Sequence, residues 1–275
     1  MHPTQAILPV AGLGTRFLPW TKAVPKEMLH IGNQPIVALL VDECLGVGIH
    51  EICFVVSKGK EAIGKYFEKD EALEAELEKR GKSQALRDLA RYDNVRFHFV
   101  EQPEQLGDGD AILHAAEWAT SESLAVLFGD DLIAGPRSGL QQLAAVQGLM
   151  TEGGRGNPII LCLETVPEAM VSRYGIVDAD PMPTPRIHRV KSLVEKPKIE
   201  DAPGRLGIVG KYIIPRTTLD TLKKTRRADD KELRLIDALI AELRQGVHVY
   251  GCEAEGKRLD TGTPEGYKEA VRMLG

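Results

Sequence analysis

Residues 4–29 read TQAILPVAGLGTRFLPWTKAVPKEML. The opening run, Thr4–Val10, is mostly apolar, and then the chain breaks into Ala11-Gly12-Leu13-Gly14. A short apolar run closed by glycines reads as a buried first strand entering a glycine-rich loop. Glycines there let backbone N–H groups approach phosphate oxygens, and Arg16 can fork onto them. The loop is not a Walker A loop, because no Gly-Lys-Ser/Thr follows. Nor is it GxGxxG, because Phe17 stands where the third glycine belongs. By itself a GxG is equally well a tight turn.

Outward from this strand, helical and strand patterns alternate. Pro35–Val47 fits a helix with Pro35 at its first turn and Gly48 just past its end. Glu51–Ser57 reads as a buried strand and Lys60–Phe67 as a short helix. Asp70–Tyr92 is strongly charged with leucines three and four apart, a solvated helical hairpin or a helix interrupted near Gly81. Val95–Val100, Leu124–Phe128 and Pro158–Leu163 read as strands, Asp108–Ala119 and Gly139–Thr151 as helices. The alternation predicts a Rossmann-like three-layer α/β sandwich with a mixed, mostly parallel central sheet. In the second half Ile176–Asp178, Arg186–Glu195, Leu206–Ile214 and Val247–Cys252 are strand-like. Leu219–Lys224, Glu232–Arg244 and Pro264–Leu274 read as helices. Asp180–Arg186 is a Pro-rich turn, and the later strands extend the same sheet, partly antiparallel. With no internal repeat or low-complexity linker, residues 1–275 read as one domain.

Composition narrows the function. Among 275 residues, 35 Lys+Arg face 40 Asp+Glu, a net charge of −5. With 43% hydrophobic and 27% charged residues, the chain is neither disordered nor fibrous. An acidic chain is a poor nonspecific nucleic-acid binder, and it lacks the basic amphipathic face of a membrane-surface protein. Cys44, Cys53, Cys162 and Cys252 are scattered without a CxxC pair, as expected of reduced, buried thiols. The N-terminus lacks a signal-peptide pattern, and Ile36–Val41 is far too short to span a membrane. These features predict a cytoplasmic protein with no membrane partner.

The string Leu8–Leu29 resembles the signature of the sugar-1-phosphate nucleotidyltransferases, and TKAVPKEML resembles their bacterial UTP–glucose-1-phosphate uridylyltransferase branch. Further motifs follow in that branch's order. They are the acidic insertion Phe67–Leu86, FGDDL (Phe128–Leu132), YGIVD (Tyr174–Asp178), VEKPK (Val194–Lys198), IVGKYII (Ile208–Ile214) and LDTGTPEGY (Leu259–Tyr267). The resemblance implies the nucleotide-diphospho-sugar transferase type of sandwich. Its N-terminal part would bind nucleotide and its C-terminal part would carry the sugar-phosphate and metal site. It implies Mg²⁺-dependent transfer of UMP from UTP to α-D-glucose 1-phosphate, giving UDP-glucose and pyrophosphate, by a homo-oligomer (dimer or tetramer).

The chemistry explains why such residues are needed. Two polyanions must meet and pyrophosphate must leave, so cationic clamps and a divalent cation count for more than a nucleophile. By resemblance Arg16 and Lys26 contact the triphosphate, Asp130 and Asp260 hold Mg²⁺, and Lys196 takes the sugar phosphate. Glu195 takes the glucose hydroxyls, and Gly175 and Gly210 bring backbone close to the hexose. Ala11, Gly12, Gly14, Thr15, Gln102 and Gly107 are nucleotide contacts. Read alone, Asp130 is more readily a strand-end turn residue and Glu-Lys-Pro a strand terminus, and Lys22 is at least as readily a solvated lysine. Asp131 is expected to point elsewhere, as a solvent-facing or supporting residue. His98 is expected to be packed or at a rim rather than catalytic.

The sequence departs from the family in two places. Where the family reads Gly-Leu-Gly-His-Ala, residues 107–111 place Asp108 and Asp110; Asp108 also suits a helix N-cap. Lys231-Glu232-Leu233-Arg234-Leu235 replaces the usual Gly-Glu-Ile-Gln-Leu, and Ile236 a threonine. With Gln34 in GNQP, these keep open a thymidylyltransferase or a uridylyltransferase acting on another hexose 1-phosphate. A non-catalytic sugar-nucleotide-binding regulatory paralogue is a further alternative, though it would be expected to lack one of Lys26, Asp130, Lys196 and Asp260.

Overall fold

The computed structural model describes residues 2–225 and 232–275. Thirteen strands lie among the described residues: β1 (Gln5–Pro9), β2 (His30–Ile31), β3 (Gln34–Pro35), β4 (Glu51–Val56), β5 (Arg96–Glu101), β6 (Ser123–Leu127), β7 (Asp131–Ala134), β8 (Ile159–Thr165), β9 (Gly175–Pro181), β10 (Ile187–Glu195), β11 (Leu206–Pro215), β12 (Val249–Glu253) and β13 (Lys257–Asp260). The α-helices are α1 (Ile36–Leu45), α2 (Glu61–Phe67), α3 (Glu71–Lys79), α4 (Ser83–Leu89), α5 (Asp108–His114), α6 (Gly139–Glu152), α7 (Thr217–Lys224), α8 (Leu235–Arg244) and α9 (Pro264–Leu274).

Nine strands form one sheet in the order β5-β4-β1-β6-β11-β8-β12-β10-β9. β1 lies at its heart, parallel to β4 and β6, with Ile7 opposite both Cys53 and Val126. Alternation along β1 sends Ala6 and Leu8 to one face and Ile7 to the other. Helices α1 and α6 cover the first face with Leu40, Val41, Leu140 and Leu143; α5, α7 and α8 cover the second with Ile112, Leu222 and Leu239. Each such buried side chain contributes about 1.5–3 kcal/mol over its exposed state. All four cysteines are buried and unpaired.

The sheet is mixed rather than mostly parallel. β5-β4-β1-β6 and β8-β12 pair in parallel, whereas β11 runs antiparallel to β6, β8 and β9, and β10 antiparallel to β9 and β12. Parallel neighbours need a long crossover. Only residues 182–186 separate β9 from β10, and 196–205 separate β10 from β11, so no helical crossover is available.

The charged segment is broken as its sequence suggests: α3 and α4 are separated by Gly81 at φ +63. Two helices are shorter than their patterns. α5 ends at His114 instead of Ala119, and α8 starts at Leu235 because Arg234 is extended. Lys231 lies outside the described residues.

Candidate active site

Two adjoining clefts open at the C-terminal end of β1 and β6, where parallel strands commonly present ligands. The larger, about 370 Å³, is walled by Ala11, Gly12, Lys26, Gln102, Gly107 and Asp130, among others. The smaller, about 200 Å³, is walled by Gly175, Glu195, Gly210, Tyr212 and Arg258. Asp108 and Phe128 belong to both walls. The two acids after β6 divide between them: Asp130 borders the larger cleft and Asp131 the smaller.

Lys26 begins a single 3₁₀ turn, Lys26–Met28, and its Nζ donates to Asp130 Oδ2 at 2.9 Å. Burial alone would lower the lysine's pKa, but the carboxylates of Asp130 and Glu27 outweigh it and hold it above the ordinary value. For Asp130, burial pushes upward while the Lys26 ammonium dominates, and the carboxyl sits below its usual range. Asp260, at the end of β13, comes to the same place. A Cβ on Gly262 would lie 2.7 Å from Asp130 Oδ2 and 2.9 Å from Asp260 Oδ1. Only glycine leaves both carboxylates room. Arg16 reaches this corner from the rim, its Nη1 donating to the Gly262 carbonyl at 3.2 Å.

The first loop divides in two. Ala11 and Gly12 wall the larger cleft, whereas Gly14 and Thr15 border neither. Gly14 is left-handed (φ +63) and packs against Lys26 and Thr21, so it folds the loop back onto the lysine. Lys22 is exposed. Gln102 is buried, and its Nε2 donates to the Gly107 carbonyl at 3.1 Å and to Asp110 Oδ2 at 3.0 Å. Gly107, at φ +104, runs so close to Leu233 that a Cβ would lie 2.3 Å from its carbonyl oxygen.

In the smaller cleft Glu195 Oε2 lies near Gly175, where a Cβ would sit 3.2 Å away. Gly210 is glycine for another reason: a Cβ would strike Asp131 Oδ2 at 2.5 Å and Phe128 at 2.8 Å. Lys196 borders neither cleft. It adopts a left-handed φ of +44 at the rim, a strained conformation for a side-chain-bearing residue, and its Nζ pairs with Glu195 at 3.2 Å. His98 is exposed on β5 and stacks on Trp118, with centroids 6.1 Å apart.

Several site residues have no signature in the sequence. Asp131 is not solvent-facing: it is 6% exposed, accepts from the Gly210 N–H at 2.9 Å and pairs with Arg258 Nε at 2.5 Å. Burial raises its carboxyl pKa, with Arg258 opposing and Asp130 adding to the rise. Arg258 also donates to the Tyr174 hydroxyl at 3.0 Å. This network joins the strand that delivers Asp260 to the strand and turn that wall the smaller cleft. Glu27, Gln105 and Glu232 complete the larger wall. The adjacent acids in FGDDL and the Arg two positions before Asp260 were the available hints.

Asp108 does not cap its own helix. Its Oδ1 accepts from the Leu235 N–H at 2.8 Å, the first residue of α8. Leu233 meanwhile bonds to residues 106–109, accepting from the Gly109 N–H (2.9 Å) and donating to the Leu106 carbonyl (2.8 Å). The two stretches that depart from the family pattern therefore touch each other. Asp108 opens to solvent, yet protein surrounds it closely. Burial first, then Glu195, push its carboxyl up to about 6, against the hydrogen bond from the Leu235 N–H and the nearby Lys196 charge.

Residues 5–274 match the nucleotidyl transferase family model. The UTP–glucose-1-phosphate uridylyltransferase of Bacillus subtilis is 37% identical over 265 residues, covering 96% of this chain and 88% of that protein. A solved UDP-glucose pyrophosphorylase complexed with UDP-glucose superposes with a TM-score of 0.84 at 30% identity, over 98% of this chain and 97% of that one. A UTP-bound enzyme of the same name from Acinetobacter baumannii gives 0.86 at 32% identity, over 98% and 92%. With its two clefts and paired acids in place, the chain belongs to the nucleotidyl transferase family and groups with the UTP–glucose-1-phosphate uridylyltransferases.

Proposed function

We propose that the protein transfers UMP from UTP to α-D-glucose 1-phosphate, giving UDP-glucose and pyrophosphate. The observation that carries this is the meeting of two clefts at Asp130 and Asp131, with Lys26 and Arg16 converging on the same corner. The larger cleft accommodates the nucleotide and the smaller the hexose, so the sugar phosphate and the α-phosphate meet beside Lys26. A phosphate oxygen of the sugar phosphate attacks the α-phosphorus. The bond to the β-phosphate oxygen breaks, and pyrophosphate leaves with the electron pair; no protein atom is covalently used. Lys26 and Arg16 hold the phosphoryl oxygens and offset charge as it redistributes. Glu195 and the backbone at Gly175 hold the hexose, and Lys196 swings from Glu195 to its phosphate.

Asp130 and Asp260 fit a magnesium ion. Their carboxylates crowd one point before Gly262, and the Lys26 ammonium already sits against Asp130. Among the described residues no group of three or more His, Cys, Asp or Glu could hold a metal alone, which suits a Mg²⁺ site completed by phosphate oxygens and water. Bound there, the ion would neutralise charge on the triphosphate.

Asp108, in the wall of both clefts, favours one second reading: another base or hexose 1-phosphate as the preferred partner. The test is pyrophosphate release with UTP, dTTP, GTP, ATP and CTP against glucose, galactose and N-acetylglucosamine 1-phosphates, with and without Mg²⁺. The proposal expects the UTP and glucose 1-phosphate pair to dominate and to need Mg²⁺. Equal turnover without the metal, or a preference for dTTP, would refute it. No helix among the described residues is long and apolar enough to cross a membrane. A cytoplasmic location and assembly of two or four copies complete the proposal, the latter measured by light scattering.

A further inference from the structure

Beside the reacting corner lies a second ion pair with no part yet assigned in the transfer, although Glu27 itself borders the larger cleft. Glu27 is 2% exposed and Lys60 6% exposed. Lys60 Nζ donates to Glu27 Oε2 at 2.7 Å and also to the Val10 carbonyl. Val10 immediately precedes Ala11 of the nucleotide cleft. On its other side Glu27 packs on Gly129, where a Cβ would lie 3.2 Å from Glu27 Cγ, and Gly129 precedes Asp130. Glu27 thus touches the end of β6 and, through Lys60, the end of β1. It also follows Lys26 within one 3₁₀ turn, so fixing its backbone fixes the Cα of Lys26.

We propose that the Glu27–Lys60 pair is a positioning device for Lys26, an inference that rests on the reading of Lys26 as the cation of the phosphate corner. Two ion pairs, Lys60–Glu27 and Lys26–Asp130, are joined by the backbone of the adjacent residues Lys26 and Glu27. Were Asp130 to hold a metal ion, Lys26 would give up that partner, and Glu27, the next residue of the same turn and anchored by Lys60, would keep the Lys26 backbone at the cleft wall. Stability alone is a weak reason for such a pair, because apolar residues of similar size commonly hold a buried site as well or better. Position is what an apolar pair would not supply.

The experiment compares wild type with E27M/K60M, which removes both charges and keeps the volume, and with E27D, which keeps the charge and withdraws it by one methylene. Melting temperature, kcat and KM are measured for each. The expected result for the double variant is near-wild-type melting, kcat lower by about tenfold or more and KM for glucose 1-phosphate within about twofold. E27D should lose kcat in the same sense while remaining folded. Wild-type kcat in either folded variant would overturn the proposal, and if the double variant does not fold, E27D decides alone. K26A separates this from the underlying reading. Inactive K26A with fully active E27M/K60M refutes only the pair's role, whereas active K26A refutes the role of Lys26 itself.

Discussion

Replacing Gly262 by alanine probes the reacting corner with one methyl group. The added Cβ would stand 2.7 Å from Asp130 Oδ2 and 2.9 Å from Asp260 Oδ1. To reach ordinary van der Waals distance the two carboxylates must retreat by roughly 0.5–0.7 Å. A misplacement of about 1 Å in a positioned catalytic group can cost about 100-fold in rate. The displacement here therefore predicts a loss of roughly 10–50-fold in kcat, or about 1.4–2.3 kcal/mol of transition-state stabilisation. The fold should tolerate the change. Gly262 is not held at positive φ, and a compatible glycine-to-alanine change restricts the unfolded chain by about 0.4–1 kcal/mol. Initial rates of pyrophosphate release across a magnesium titration, beside a thermal melt, measure both quantities. A variant with kcat within about threefold of wild type at every magnesium concentration would show that Asp130 and Asp260 do not act together.

Three other outcomes follow from the structure. Gly148 lies inside α6 with open space where its Cβ would be, so G148A should stabilise the protein by about 0.5–1 kcal/mol in urea denaturation and leave turnover unchanged. D131N removes the nearer of the two carboxylates paired with buried Arg258, leaving Glu164 at 3.5 Å, and should lower unfolding free energy by about 1–3 kcal/mol, seen as an earlier urea midpoint with unchanged slope. Asp108 has a folded-state pKa above its unfolded value, so its favourable share of stability is full below about pH 3.8 and is lost as pH rises through about 6. D108N keeps an acceptor for the Leu235 N–H, and its melting temperature should gain on wild type as pH goes from 4.5 to 7; a constant difference would contradict this.

The strand-and-loop reading of residues 4–14 succeeds because β1 is buried on both faces, which a short apolar run closed by glycine matches, and is too short for a helix. The mixed sheet was harder to see. Strand patterns show burial but not direction, and direction here is set by the short links around β10. Lys26, Asp130 and Asp260 were legible as a motif set, and the fold does bring them together. Asp131 was legible as a supporting residue that points away from Asp130, but not as a buried one: it opens β7 just after the turn that holds Asp130, and its partner Arg258 lies 127 residues away. Lys60 and Glu27 were illegible for a similar reason: nothing in either local sequence announces a partner 33 residues distant. The contact between the 107–110 loop and residues 233–235 is likewise visible only in three dimensions.

Direct uridylyl transfer at the corner built by Lys26, Asp130 and Asp260 can be watched by phosphorus NMR of the purified protein with UTP, glucose 1-phosphate and Mg²⁺, run beside D130A at equal concentration. The UTP and glucose 1-phosphate signals should fall together as UDP-glucose and pyrophosphate appear in equal amounts, and D130A should leave the spectrum essentially unchanged. Wild-type protein that leaves both substrates intact, or D130A that turns them over at the wild-type rate, would contradict it.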